Sequence, residues 1–187
     1  MKKTEIRKAV SVLRSSLDEN SLNEMNEEIL KRVTNGKVFG IIGKRPVFIY
    51  ASYNNEADTF KIARFFIENG NIVAYPRVLG KNREMSFYRV NSTNELVKGY
   101  KNILEPLPKT NVDEMSKEAV IIVPMVAFDK KLNRVGYGGG FYDTYLINKP
   151  PYIKIGIAFE KQCFNIDDVE ENDIKMDYIV TEKNIWQ

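Results

Sequence analysis

The residues best suited to chemistry lie in one short segment, RVGYGGGFYD, which runs from Arg134 to Asp143. Glycines permit positive φ angles and let a ligand approach the backbone closely. Consecutive free N–H groups can bind an anion, especially where a helix begins. Arg134 adds a planar guanidinium that suits phosphate. The spacing matches neither the P-loop nor the usual dinucleotide-binding motif. These residues alone leave two interpretations open, a phosphate- or nucleotide-binding loop and a flexible glycine turn.

Carboxylates close to such a loop could hold a metal ion. Asp143 ends the segment, and an aspartate beside bound phosphate is often a ligand of Mg²⁺. It could equally balance the dipole at the start of a helix, FYDTYL. Nearer the C-terminus, ENDIKMD contains Asp173 and Asp177. Either could supply a second metal ligand if the fold returns this segment to the loop, and the alternative for both is a solvated acidic loop.

Glu56 follows the apolar run VFIYAS, which is typical of a buried strand. In α/β sheets, ligands gather outside the carboxyl ends of the strands. A carboxylate there could accept hydrogen bonds from the amino and ring N–H groups of a heterocycle. The alternative is that Glu56 only compensates the charge at the N-terminus of the following helix.

The first helix carries a basic flank. On an ideal helical wheel, Lys3, Arg7 and Arg14 fall within about 40° of each other, beside the apolar stripe. The spacing allows both a solvated flank and an anion-binding face.

The elements that must position these residues alternate between strand and helix, which favours an α/β fold. Continuous apolar strands such as AVIIV indicate a sheet covered on both faces. Helices are predicted over residues 4–17, 21–34 with a capping box formed by Ser21 and Glu24, 54–70, and from residue 141 onward. Strands are predicted over residues 47–52, 72–75 ended by Pro76, 85–90, 119–124, 153–159 and 177–181, with a loop over 97–110.

Composition excludes several kinds of site. The 187 residues contain no histidine and one cysteine, Cys163. A Ser-His-Asp triad, a histidine metal site and a cysteine zinc site are therefore excluded. Any metal would be a hard cation on oxygen ligands, with Mg²⁺ the best candidate. The net charge of +3 is modest and mixed along the chain, which argues against nucleic acid as a partner.

Length and composition suit one compact domain, residues 1–187, in the cytoplasm. The first ten residues, MKKTEIRKAV, lack an apolar signal core, and no apolar run is long enough to span a membrane. With one cysteine no intrachain disulfide can form, which fits a reducing compartment. We expect a monomer that binds small molecules, with no membrane partner.

The segment VPMVAFDKKLNRVGYGGGFYDTYL resembles the signature of the 5-formyltetrahydrofolate cyclo-ligase family, P-x-x-A-F-D followed by R-[LV]-G-x-G-G-G-[YF]-Y-D. Supporting similarities cover nearly the whole chain. They include KTEIR, IYASYNNEADT, YPRV, MSFY, GIAFEKQ and ENDIKMDYIVTE.

The resemblance implies a Rossmann-like (NagB/RpiA/CoA-transferase-like) single layered α/β domain with a mostly parallel central sheet flanked by helices. It implies ATP-dependent closure of 5-formyltetrahydrofolate to 5,10-methenyltetrahydrofolate, with ATP as co-substrate and Mg²⁺ as cofactor. Arg134 would be catalytic, and Asp143 and Asp173 would hold the metal. The residues implied to bind ATP are Lys3, Arg7, Arg134, Val135, Gly136, Tyr137, Gly138, Gly139, Gly140, Phe141 and Tyr142. Those implied to bind the folate are Ala51, Glu56, Tyr137, Gly138, Gly139, Gly140 and Phe141.

Three positions depart from the family pattern. Leu132 stands where glycine is usual, which allows the turn before Arg134 to take a different shape. Thr144 replaces a common arginine, which removes a guanidinium that could contact phosphate or the folate tail. Phe141 replaces tyrosine, which keeps the ring and removes a hydroxyl. The departures at Leu132 and Thr144 support an alternative, a non-catalytic folate- or nucleotide-binding regulatory module. Scattered aromatics and a pI near 8.8 are the support for RNA binding.

Overall fold

The structure of the protein, a computed structural model, describes residues 1–80, 82–149 and 152–187. Across these residues the chain forms five α-helices and eleven short strands. The helices are α1 (Lys3–Ser15), α2 (Glu19–Thr34), α3 (Gly36–Ile42), α4 (Thr59–Glu68) and α5 (Phe141–Ile147). The strands are β1 (Val47–Phe48), β2 (Val73–Val78), β3 (Met85–Val90), β4 (Val97–Lys98), β5 (Leu104–Glu105), β6 (Val120–Val123), β7 (Ala127–Phe128), β8 (Arg134–Val135), β9 (Ile153–Ile157), β10 (Tyr178–Val180) and β11 (Ile185–Trp186).

Seven of these strands form one central sheet in the order β11-β10-β9-β6-β1-β2-β3. The five inner strands are parallel to each other. The two edge strands, β3 and β11, are antiparallel to their neighbours. The predicted α/β fold with a mostly parallel sheet flanked by helices is therefore confirmed.

Both faces of the sheet are buried, because successive side chains of a strand point to opposite faces. In β6, Val120 and Ile122 pack into one core cluster, with residues of α2, α3 and α4. Ile121 and Val123 pack into a second cluster on the other face, with residues of α5. This explains why the central strands read as continuous apolar runs and not as alternating ones.

Helix α1 lies apart from these two layers. Its apolar residues Ile6 and Val10 are buried against Val126, Ala127 and Val135, on and beside the antiparallel pair β7–β8. The helix is thereby placed next to the segment that leads into the glycine-rich loop.

Two helix boundaries follow from side-chain capping. Asp58 caps α4 by accepting hydrogen bonds from the N–H groups of Phe60 and Lys61, so the helix begins five residues later than predicted. The prediction of a capping box at Ser21 and Glu24 is wrong, because the side chain of Asp18 caps α2 by accepting from the N–H of Ser21.

Other elements differ from prediction as well. Strand β2 continues through Pro76 to Val78, so the prediction that Pro76 ends it is wrong. Strand β1 pairs only with Val73 and Ala74 of β2. At Pro76 the strand therefore has a partner on one side only, where a missing N–H is tolerated. Residues 97–110, predicted as loop, contain the short pair β4–β5, and α3 was not predicted at all.

Within the described ranges, no helix has the length and apolarity needed to cross a membrane.

Candidate active site

The site lies where two neighbouring parallel strands end. Strand β1 pairs with β2 on one side and β6 on the other, so the chain changes direction across the sheet between β1 and β6. Ligands of open α/β sheets bind at such switch points, beyond the carboxyl ends of the strands. The segment after β1 contains Ala51 and Glu56, and the segment after β6 contains the glycine-rich loop. The sheet therefore places these two predicted groups side by side.

A tight turn introduces the loop. Between β7 and β8, the Asp129 side chain accepts hydrogen bonds from the backbone N–H groups of Lys131 and Asn133. Leu132 holds a positive φ of 65° in this turn. That is the left-handed conformation that glycine adopts most easily. The turn therefore keeps the left-handed conformation although leucine stands where glycine is usual. The Leu132 side chain packs against the core beside α5.

Arginines from three parts of the chain lie over the glycines. A Cβ added to Gly136 would meet Nη1 of Arg134 at 2.8 Å, and one on Gly140 would meet Nη1 of Arg83 at 3.1 Å. A Cβ added to Gly138 would lie 3.7 Å from Cζ of Arg7. Gly140 has a φ of 69° and precedes α5 directly. The bare backbone thus makes room for guanidinium groups as well as for a left-handed turn.

The basic flank of α1 faces the site and is not a solvated surface. Nζ of Lys3 lies 2.6 Å from Oδ2 of Asp173, and its side chain is 12% exposed. Nε of Arg7 donates to the carbonyl oxygen of Gly136 at 2.7 Å. Arg14 is buried and donates to the hydroxyl of Tyr137. The three cations reach three different partners, which together belong to the predicted site.

Arg134 and Asp143, the two ends of the segment, form an ion pair. Nη2 of Arg134 lies 2.5 Å from Oδ1 of Asp143, and the arginine side chain is 5% exposed while the aspartate is 33% exposed. Nε of Arg134 is buried and has no hydrogen-bond partner among the described residues. The pair fixes the guanidinium beneath the loop.

The structure separates the two C-terminal aspartates. Asp173 returns to the site, where Oδ2 accepts from Nζ of Lys3. Asp177 instead accepts from the backbone N–H and pairs with Nζ of Lys154 on β9. No group of three or more acidic, cysteine or histidine side chains that could hold a metal occurs within the described part of the chain.

The donor set nevertheless fits a hard cation that arrives with phosphate. In both Asp143 and Asp173 the hydrogen bonds seen within residues 1–80, 82–149 and 152–187 use one carboxylate oxygen, Oδ1 and Oδ2 respectively. The second oxygen of each remains available, and carboxylate and phosphate oxygens are the ligands that Mg²⁺ prefers.

Glu56 is buried beneath the loop. Its Oε2 accepts from the backbone N–H of Tyr53 at 3.0 Å, and its Oε1 accepts from the hydroxyl of Tyr137 at 2.5 Å. Burial raises the pKa of Glu56 to about 7, although the Tyr137 hydroxyl and the Arg14 guanidinium oppose the shift. Burial also raises the pKa of Tyr137, so its hydroxyl keeps its proton and donates. Glu56 is therefore a satisfied acceptor that titrates near neutral pH.

An open cleft of about 540 Å³ lies in front of this carboxylate. It runs between α1, the turn at Asn54 and Asn55, and Tyr137. Arg7 and Arg14 contribute the charged part of its wall. Glu56 lies behind Tyr137, and Ala51 is 4% exposed and packed in the core. A ligand in the cleft would thus contact the basic flank and the loop directly. It would be separated from the Glu56 carboxylate by Tyr137.

The remaining loop residues pack around these groups. The ring of Phe141 lies 5.6 Å from that of Tyr100, and it approaches Gly139 closely. The hydroxyl of Tyr142 is buried with no hydrogen-bond partner among the described residues. Thr144 lines a second, smaller cavity together with Arg83 and Lys149.

Two residues near the site were not predicted as site residues. Arg14 was predicted to lie on the basic flank of α1. Its position beside the apolar stripe could have indicated that it is buried. Arg83 belongs to the connection between β2 and β3, and no motif pointed to it. A hairpin residue is brought to the loop only by the folded sheet.

Comparison with known proteins gives a consistent result. A model of the 5-formyltetrahydrofolate cyclo-ligase family matches residues 1–182. The 5-formyltetrahydrofolate cyclo-ligase of Escherichia coli strain K12 is 30% identical over 151 residues, covering 79% of this chain and 83% of the relative. The NMR structure of Aquifex aeolicus 5,10-methenyltetrahydrofolate synthetase matches with a TM-score of 0.85 at 30% identity, covering 100% of this chain and 93% of that chain.

A further solved structure supports the fold alone. The 5,10-methenyltetrahydrofolate synthetase from Mycoplasma pneumoniae matches with a TM-score of 0.76 at 21% identity, covering 97% of this chain and 99% of that chain. Together with the family match over nearly the whole sequence, these findings show that the chain belongs to the 5-formyltetrahydrofolate cyclo-ligase family.

Proposed function

We propose that this protein is an ATP-dependent ligase that closes 5-formyltetrahydrofolate to 5,10-methenyltetrahydrofolate and releases ADP and phosphate. The family and the names of its relatives support this reaction. The observation that carries it in this chain is the position of the glycine-rich loop. One loop contacts Arg7 through Gly136 and Glu56 through Tyr137. Arg7, proposed to bind phosphate, and Glu56, proposed to bind the heterocycle, therefore contact consecutive residues of the loop.

The nucleotide is proposed to bind on the basic side of the loop. Of the three guanidinium nitrogens of Arg7, only Nε has a hydrogen bond among the described residues, to Gly136. Arg7 lines the cleft, and its terminal nitrogens remain for phosphate oxygens. Lys3 lies one helical turn before Arg7, about 6 Å along the axis. With Arg134, these residues would bind the polyphosphate, and the backbone N–H groups of residues 135–142 would complete the contacts.

The folate is proposed to bind beside Tyr137, where Glu56 would accept hydrogen bonds from N–H groups of the pterin ring. A carboxylate that titrates near pH 7 is ionised in a large fraction of molecules at neutral pH. Ala51 lies in the segment after β1, close to this carboxylate in the chain, and would line the inner wall. Tyr137 and Phe141 would contact the ring from the loop.

The chemistry requires positioning and charge stabilisation more than proton transfer. The γ-phosphoryl group moves from ATP to the formyl oxygen, which breaks the bond to the ADP oxygen and gives an imidate-like phosphate. N10 then attacks the formyl carbon, loses its proton, and phosphate leaves with its oxygen. Arg134 would stabilise charge on the transferred group, and the loop would hold donor and acceptor in line. The absence of histidine is compatible with this route.

Asp143 and Asp173 are proposed to hold Mg²⁺ with the nucleotide. When bound, the ion would offset negative charge on the phosphates. The role of the two carboxylates is to fix its position, and the role of Arg134 and Lys3 is to keep those carboxylates in place.

A direct assay tests the reaction. Purified protein is mixed with ATP, Mg²⁺ and 5-formyltetrahydrofolate, and the methenyl product is followed by its absorbance while ADP is measured in parallel. We expect equal amounts of the two products. Tight folate binding without ADP release would instead indicate a regulatory binding module, and absence of product at high enzyme concentration would reject the ligase assignment.

The whole chain, residues 1–187, is proposed to act as one catalytic domain and as a cytoplasmic monomer. Light scattering during gel filtration, in which a dimer would elute at about twice the mass of 21.6 kDa, tests the oligomeric state.

A further inference from the structure

Arg14 is a buried arginine that no motif assigns to the site. Its side chain is 8% exposed. Nη1 donates to the hydroxyl of Tyr137, and Nη2 donates to the backbone carbonyl of Met125 at 2.9 Å. Nη1 also lies 3.8 Å from Oε1 of Glu56. A buried cation is costly unless it is paired, so these contacts define what the arginine is placed to interact with.

Tyr137 lies between the arginine and the carboxylate. Its hydroxyl accepts from Arg14 and donates to Oε1 of Glu56. The Glu56 side chain is 1% exposed, and Tyr137 separates its Oε1 from the cleft. A ligand that reaches Oε1 from the cleft would therefore displace the hydroxyl, and Glu56 then loses one of the contacts that keep it ionised. Arg14 remains, because it is anchored separately on Met125.

The other groups that influence Glu56 do not supply positive charge. Those that face it are Tyr50 from the segment after β1, Tyr53 from the following turn, Tyr142 from α5 and Tyr137 from the loop. All are neutral phenols, and Tyr53 also provides the backbone N–H that bonds to Oε2. Arg14 is the cation that interacts with this carboxylate among the described residues.

We propose that Arg14 is a positioning residue for the folate side of the site, which holds the Tyr137 hydroxyl and keeps Glu56 an anionic acceptor when a ligand N–H replaces that hydroxyl. The inference rests on the proposed function in one respect, the identity of the ligand. The coupling between Arg14 and Glu56 is a property of the free protein and can be measured without any ligand.

The first experiment follows the protonation of Glu56 in the ligand-free protein. Glutamate is labelled with ¹³C at the side-chain carboxyl, and the Glu56 signal is assigned by its loss in Glu56→Gln. We expect the titration midpoint of Glu56 to move up by about one pH unit or more in Arg14→Gln, because an opposite charge within 4–6 Å lowers a carboxyl pKa by that order. Arg14→Lys, which keeps the charge, should move it less. Arg64→Gln, on the exposed face of α4, should leave it unchanged.

The second experiment measures KM for 5-formyltetrahydrofolate against pH. In the wild type, KM should rise as pH falls below about 7, since Glu56 becomes protonated. In Arg14→Gln this rise should begin at higher pH, with KM increased about fivefold or more at pH 7 and close to the wild-type value at pH 9. A residue needed only for packing would instead raise KM, or lower kcat, by the same factor at every pH, with no recovery in Arg14→Lys.

The two experiments separate the proposals. An unchanged Glu56 midpoint in Arg14→Gln would overturn the positioning role, even if the enzyme is active. A shifted midpoint in a protein that forms no methenyl product would reject the ligase assignment and retain the Arg14–Glu56 coupling. If Arg14→Gln does not fold, Arg14→Met, which also removes the charge and keeps most of the side-chain length, takes its place, and an unchanged Glu56 midpoint in that variant overturns the proposal.

Discussion

Arg134 is held beneath the glycine-rich loop by a single acidic partner, Asp143. The ion pair keeps a buried guanidinium in one orientation before any ligand is present. A group that is already oriented toward a developing charge needs no reorganisation during the reaction, which is the main source of electrostatic catalysis. This is the physical reason to expect that the shape of the side chain matters as well as its charge.

We predict that Arg134→Lys reduces kcat by about 10²- to 10³-fold, the usual effect of removing one oriented donor. Lysine keeps the positive charge but loses the planar group that contacts Asp143 and lies over Gly136. Arg89→Lys on the exposed side of β3 is the matched control and should have wild-type kcat. A fully active Arg134→Lys, measured by methenyl formation, would remove Arg134 from the catalytic role.

Glu56 also affects the stability of the fold. Its pKa is about 7 in the folded protein and near 4.5 when solvated. Between pH 4.5 and pH 7, Glu56 is therefore protonated in the folded state and ionised in the unfolded state. The stability associated with this proton is fully present below pH 4.5 and is lost as pH rises through 7.

We predict that Glu56→Gln, which resembles the neutral form, gains stability over the wild type by up to about 3 kcal/mol at pH 8 and by less at pH 5. Urea unfolding at the two pH values measures this difference. Glu68→Gln, at an exposed position in α4, should show no such pH-dependent gain. A gain at pH 5 equal to that at pH 8 would contradict the elevated pKa.

At this scale the sequence predicted part of the site. Arg7, Arg134 and the glycines stand in motifs whose chemistry can be inferred directly, and the structure brings them together. The contact of Tyr137 with Glu56 joins residues 81 positions apart and depends on the sheet. The choice of Asp173 over Asp177 likewise depends on which carboxylate the folded segment turns toward Lys3.

Among the elements, the turn between β7 and β8 has an unusual residue at its left-handed position. Leu132 holds φ at 65°, while its side chain is partly buried against the second core cluster. A side chain branched at Cβ is a much poorer occupant of that conformation than an unbranched one.

We predict that Leu132→Ile lowers the free energy of unfolding by about 1 kcal/mol, because the volume is kept and the backbone strain rises. Leu132→Met, which is also similar in volume and unbranched at Cβ, is the control and should be close to neutral. Urea denaturation of the three proteins measures both values. Equal stability of the isoleucine and methionine variants would indicate that the turn relaxes to another conformation.

The elements with strong periodicity were the ones that the sequence predicted well. Strand β6 is a continuous apolar run, apolar residues alternate with other residues along β9, and α1 shows a clear apolar stripe. The differences arise where tertiary contacts override a local signal. Pro76 is accepted within β2 because the neighbouring strand has already ended, and α3 is a helix of seven residues that packs Val38 and Ile42 into the core.

At the scale of the whole molecule, the glycine-rich loop links the two proposed binding regions. Arg7 contacts the loop at Gly136, and Glu56 contacts it at Tyr137, the next residue. A ligand that orders the loop from one side therefore reduces the cost of ordering it from the other, and such coupling is reciprocal.

We predict that a non-hydrolysable ATP analogue with Mg²⁺ increases the affinity for 5-formyltetrahydrofolate by about fivefold or more, within the usual range of coupling between sites. Calorimetric titration with and without the analogue measures this effect. In Tyr137→Phe, which has lost the bond to Glu56, the increase should be smaller. Identical affinities in the wild type under both conditions would show that the sites are independent.

The contact between Lys3 and Asp173 has a consequence for biosynthesis. It joins residues 170 positions apart, and the backbone N–H of Lys3 also donates to the carboxylate of Asp168. Because the ribosome releases the N-terminal part of a chain first, α1 must wait for nearly all of the protein before its acidic partners exist. The proposed nucleotide side of the site is therefore among the last parts to be completed during synthesis.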